Sequence, residues 1–162
     1  MAECRSCELI SRRDDGDAPP WDCIVRTAHW DVVHCYGTSI EGWIVLVLRR
    51  HAASLAELED AEAAALGPLV RDVSRALGAV VECEKTYVVQ FAEAPGHNHI
   101  HVHLIPRRPD MPAGERGPNI FQFLGMPPEE CVTDERMNQI AAAFLAWWRD
   151  AAAQIGVADE QR

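Results

Sequence analysis

The segment GHNHIHVHLIPRRPD, residues 96–110, places histidine at 97, 99, 101 and 103, with Ile100, Val102 and Leu104 between them. Alternation with a period of two marks a β-strand whose faces differ, because successive side chains leave a strand on opposite sides. One face would carry apolar groups to a core, and the other a row of imidazoles roughly 7 Å apart. Pro106 predicts the end of the run, since it brings no N–H to a sheet ladder.

The segments around it supply the rest of a sheet. WDCIVRT (21–27) and WDVVHCYG (30–37) are rich in β-branched and aromatic residues, and GWIVLVLRRH (42–51) is almost continuously apolar. KTYVVQF (85–91) precedes the histidine segment across the short turn AEAPG, which predicts an antiparallel pair. SLAE (54–57) has the form of a capping box at a helix start. Leu66, Leu69, Val70, Val73 and Leu77 follow at helical spacing, with Gly67-Pro68 expected to interrupt or kink that helix. Residues 106–133 hold six prolines and predict a long loop with little regular structure, either covering a site or disordered. Met137, Ile140, Phe144, Trp147 and Trp148 mark a C-terminal helix whose tryptophans belong to a core or a dimer contact. The expected fold class is α+β, an antiparallel β-sheet with a long helix and a C-terminal helix on one side. No linker divides the chain, so one domain over 1–162 is expected, with its core at about 4–108 and a loop and helix at 109–162.

Charge narrows the function. The net charge is −10 at pH 7, which repels a nucleic-acid backbone and disfavours general DNA or RNA binding. A small phosphorylated ligand stays open, because local donors can offset the global charge. The chain has no apolar run of membrane-spanning length, and its first residues lack a signal-peptide core, so no membrane partner and a cytoplasmic location are expected. In a reducing compartment the six cysteines read as thiols or metal ligands. Of these, only Cys4 and Cys7 have the Cys-x-x-Cys spacing that lets two sulfurs reach one ion.

The histidine row admits three readings: a solvated face, a metal site in which alternate imidazoles share one ion, or an imidazole nucleophile flanked by helpers. From His99 the chain reads His-Ile-His-Val-His-Leu-Ile, or His-φ-His-φ-His-φ-φ with φ apolar, followed by Pro-Arg. This resembles the histidine triad (HIT) superfamily of nucleotide hydrolases and transferases. GWIVLVLRRH with SLAELEDAEAAAL resembles the family's strand, basic pair, histidine and helix, and CRSC resembles the cysteine pair of its zinc-containing members.

The resemblance implies a nucleotide-conjugate substrate cleaved at the α-phosphate through a nucleotidyl-histidine. It implies His101 as the nucleophile, His99 as the residue whose carbonyl orients it, and His103 as a donor to the phosphate or leaving group. Gln90 matches the family's amide near the phosphates, and His97 and Asn98 stand where members carry small polar phosphate contacts. Zinc-containing members imply a structural Zn2+ held by Cys4, Cys7, His51 and His99, and relatives imply a homodimer. Two features depart from the pattern. Gly42-Trp43 stands where the family often has Gly-His, so Trp43 either packs on a base or fills core. The stretch from Gln90 to His99 is also short. The alternatives are a nucleotide-binding or sensing protein with little turnover, and a metalloenzyme using the histidine row.

Overall fold

The computed structural model describes residues 4–159, so the expected bounds 1–162 extend three residues beyond it at each end. Five strands form one antiparallel sheet: β1 (Val25–Arg26), β2 (Trp30–His34), β3 (Ile44–Leu48), β4 (Lys85–Val89) and β5 (His101–Arg107), in the order β1-β2-β3-β5-β4. Three α-helices accompany it: α1 (Arg5–Asp15), α2 (Asp60–Val80) and α3 (Asp134–Asp159). The α+β class is therefore as expected.

Alternation along the strands divides the side chains into two cores. Trp30, Val32, Ile44, Leu46, Leu48, Val102 and Leu104 pack with Leu69, Val73 and Leu77 of α2 and Phe144 of α3. The opposite face carries Val33, Val45, Val47 and Ile105, packed with Ile10 of α1, Trp43, Met111 and Ile120. Helices were expected on one side only. In fact α1 and the proline-rich segment cover the second face, because it too is apolar apart from its histidines. Trp147 and Trp148 pack against the α2/α3 core, in keeping with a core role. Among the described residues no helix is long and apolar enough to cross a membrane.

Four local expectations are corrected. Ser54 accepts from the Ala56 N–H at 3.2 Å, but it caps a 3-10 turn (Leu55–Glu57), and α2 begins only at Asp60. There the Glu62 carboxylate reaches back to the Glu59 N–H at 2.8 Å and also grips Arg50 at 2.7 Å, so the cap is tied to the end of β3. Pro68 lies inside a continuous α2, since it and Ala64 are exposed and water can satisfy the carbonyl it leaves without a partner. Pro106 lies within β5. The Arg107 carbonyl accepts from Glu84 N–H at 2.9 Å, so the backbone groups of Pro106 face the other way, past the Ile44–Leu104 pair where β3 pairing ends. Its missing N–H costs no ladder bond there.

The fourth correction concerns the histidine row. Only His101 and His103 lie in β5. His99 N–H donates to the His97 carbonyl at 2.7 Å, a tight three-residue turn that swings the first two histidines away from the strand.

The segment after β5 is ordered through short 3-10 helices at Ala113–Glu115, Gly117–Phe123 and Pro128–Glu130. Ile120 anchors it, fully buried in the second core.

Candidate functional site

The histidine face of the sheet forms the floor of a cavity of about 410 Å3. Val45 pairs with His103 and Val47 with His101 across β3 and β5, which puts two valines beside two imidazoles. Leu9 and Ser6 of α1 form one wall, Phe121 and Leu124 another, and the 91–97 turn, with Phe91 and His97, a third. Tyr36, Phe91 and Leu124 are exposed large apolar residues, and all three line this cavity. Such an apolar concavity with a few convergent polar groups is the usual form of a small-molecule site.

Hydrogen bonds assign each imidazole its proton. His101 Nδ1–H donates to the His99 carbonyl at 2.7 Å, which leaves Nε2 with a free lone pair. Burial lowers the His101 pKa from the usual histidine range, a shift the His99 carbonyl partly opposes. His103 Nδ1 accepts from the Trp43 indole N–H at 3.0 Å, and burial, with His101 adding to it, pushes its pKa down to about 3. The two rings stand edge to face, with centroids 5.0 Å apart. Both are therefore neutral near pH 7.

His97 also neighbours His101, ring centroids 6.4 Å apart, between the Ser6 hydroxyl and the Tyr36 hydroxyl at 3.4 Å each. The structure thus brings His97, His101 and His103 to one cavity. Gln90, half-buried just past β4, and the exposed Asn98 lie outside its lining.

His99 points elsewhere. It is fully buried, its Nε2–H donates to the Leu48 carbonyl at 2.6 Å, and its Nδ1 faces the thiols of Cys4 and Cys7 at 3.5 Å each. Cys4 caps α1 and Cys7 sits in its first turn, three residues on and so on the same face. His51, just past β3, brings Nδ1 to 3.4 Å from the Cys7 sulfur. All four ligand atoms lie within 4.8 Å of one another. A tetrahedral zinc, with bonds of about 2.3 Å to sulfur and about 2.0–2.1 Å to nitrogen, separates those ligands by about 3.5 Å. The donor set fits that ion, and the Leu48 carbonyl holds His99 in the ligating tautomer. Burial and then Cys4 push the Cys7 thiol up to about 11.

Sequence reasoning left three site residues unassigned. Tyr36 and Phe91 carried no signal beyond their aromatic type. His34, a cavity-lining residue of β2, donates from Nδ1 to the Cys35 carbonyl at 2.7 Å and accepts the Gly42 N–H at 3.0 Å. Burial pushes its pKa down to about 4, so it acts as a neutral clamp on the β2–β3 connection. Gly42 has φ +77°, and a Cβ there would meet Val81 at 3.1 Å, so only glycine makes the turn that delivers Trp43.

Comparison with known proteins agrees with this geometry. A family model described as HIT domain matches residues 25–110. No curated protein matches. Among solved structures, a hypothetical histidine triad nucleotide-binding protein from Sulfolobus tokodaii strain 7 superposes with TM-score 0.69 at 15% identity, covering 93% of this chain and 97% of that one. A Zn-bound histidine triad family protein from Mycobacterium smegmatis gives 0.65 at 18% identity, over 91% and 96%. A histidine triad protein from Bradyrhizobium japonicum gives 0.61 at 22% identity, over 75% and 86%.

Proposed function

The chain belongs to the HIT family, and from that premise we propose that it is a nucleotide-conjugate hydrolase or transferase acting at the α-phosphate through a nucleotidyl-histidine on His101. The observation that carries the reading is the bond from His101 Nδ1–H to the His99 carbonyl, which leaves Nε2 as an unprotonated nucleophile in the cavity.

The chemistry follows from the proton positions. Nε2 of His101 forms a bond to phosphorus, the bond from phosphorus to the leaving group breaks, and its electron pair departs with that group. The ring becomes an imidazolium, and the His99 carbonyl stabilises its Nδ1–H. His103, with its proton on Nε2, donates to a phosphate oxygen as charge develops there. Water or another acceptor then attacks phosphorus. The nitrogen–phosphorus bond breaks, its pair returns to Nε2, and the acceptor's proton is released. Phe91, Phe121 and Tyr36 take the nucleoside, and His97 contacts the phosphate. Cys4, Cys7, His51 and His99 hold a structural zinc, a reading supported by their spacing and by the Zn-bound relative. Bound there, the ion supplies a cross-link that staples α1 to the strand end preceding His101.

His101→Ala tests the proposal with a panel of adenosine and guanosine phosphoramidates, dinucleoside polyphosphates and nucleotidyl sugars. Turnover should fall by at least about 10^3-fold while nucleotide monophosphate still binds. Wild-type rates in the variant would refute the mechanism. Tight binding without turnover by the wild-type protein would instead select a nucleotide sensor.

A further inference from the structure

We infer that Trp43 is a positioning residue for the reaction, holding the His103 ring so that Nε2–H, and never Nδ1, faces the transferred phosphate. The inference rests on the reading of His101 as nucleophile and adds to it the residue that orients its neighbour.

The argument begins with what an indole can do. Its nitrogen carries a hydrogen and has no lone pair to offer, so it is a donor only. At 3.0 Å from the indole nitrogen, Nδ1 of His103 must therefore accept. A hydrogen on Nδ1 would meet the indole hydrogen head-on, which excludes both the other tautomer and the imidazolium. Nε2 then holds the ring's only proton. The ring is also fixed against a flip about its own axis, because a flip would put a C–H against the indole N–H and leave a buried donor without a partner. Trp43 is fully buried, so an unpaired N–H there would have no water to satisfy it.

The packing gives Trp43 little freedom. Its ring meets Phe121 edge to face at 5.5 Å and His103 edge to face at 5.7 Å, and Phe121 meets His103 at 5.9 Å. Gly42 sets the entry to β3, and Ile44, the next residue, pairs with Leu104 beside His103. Trp43 therefore reaches His103 from the position just before β3.

A histidine in place of Trp43 could donate or accept and would not enforce one state on His103. An indole enforces it. That state suits a group that must donate to a phosphate oxygen throughout the reaction and is not required to carry a net charge.

The first test needs no variant. In the 15N-labelled wild-type protein, a scalar coupling across the hydrogen bond should connect the Trp43 indole nitrogen to Nδ1 of His103, with the His103 proton on Nε2. Absence of the coupling, or a proton on Nδ1, overturns the inference whatever the activity proves to be. The second test is Trp43→Phe, which keeps a buried aromatic and removes the donor. Its kcat should fall about tenfold with KM within about twofold, since the lost alignment acts on the transition state and is worth about 1.4 kcal/mol. A parallel rise in KM with unchanged kcat would show that Trp43 only shapes the cavity, and would overturn the inference. Loss of turnover in His101→Ala is a separate measurement. If that variant keeps its rate while the coupling is present, the nucleophile assignment fails and the orientation of His103 by Trp43 stands.

Discussion

Arg13→Met removes the charge that docks α1 onto the sheet, and its cost can be worked from the contacts. The Arg13 guanidinium lies 2.6 Å from an Asp22 carboxylate oxygen, 2.8 Å from the Asp22 carbonyl and 3.3 Å from Asp31. The three side chains are 2%, 3% and 0% exposed. Asp31 retains Arg26 at 2.8 Å, but among the described residues Asp22 has no other cation within salt-bridge distance. Removing one member of a buried pair strands the other, at about 3–5 kcal/mol. That is a large share of the roughly 5–15 kcal/mol that stabilises a typical domain.

The pH dependence follows from Asp22. In the native protein burial raises its pKa above the ordinary 3.8, against the lowering effect of Arg13. Without Arg13 the pKa rises further, and a raised carboxylate destabilises the fold above that pKa and ceases to do so once protonated. The deficit should therefore be greatest at neutral pH and shrink as pH falls towards 3.8, the carboxylate's ordinary value. Urea unfolding of both proteins in chelator, at neutral and acidic pH, measures it. A deficit under about 1 kcal/mol at neutral pH, or one that does not change with pH, would refute the reasoning.

Three other outcomes are expected. Protein purified without chelator should carry about one zinc per chain. Cys4→Ser combined with Cys7→Ser should remove it and lower the melting temperature, and stoichiometric zinc surviving there would move the ion to the cavity histidines. Phe121→Ala opens the wall against Trp43, His103 and Phe91. Its KM should rise about tenfold, or about 1.4 kcal/mol, and nucleotide monophosphate should protect residues 109–130 from limited proteolysis. Equal cleavage with and without ligand would argue against a wall role. Phe144→Ala, on the opposite face of the sheet, should cost about 3–5 kcal/mol of stability and leave KM unchanged; a shifted KM would show that the two faces are coupled.

What the sequence determined by itself is the part carried by local periodicity and by donor chemistry. Period-two alternation at 100–104 already places Val102 and Leu104 on one side and His101 and His103 on the other, and the burial of Val102 and Leu104 follows. The Cys-x-x-Cys spacing puts two sulfurs within reach of one ion, whatever the rest of the chain does. Four matters waited for the tertiary structure, because each depends on partners far apart in the chain. Whether His99 joins the histidine row or turns away is decided by the Leu48 carbonyl, 51 residues distant. The start of α2 shifts from Ser54 to Asp60 because Glu62 is also held by Arg50. Pro106 stays in its strand because β3 has already ended beside it. The role of Trp43 depends on a donor and an acceptor 60 residues apart meeting across two strands. Periodicity reports which face a residue takes, whereas the protonated nitrogen of an imidazole is set by the group opposite it, and only the folded chain supplies that group.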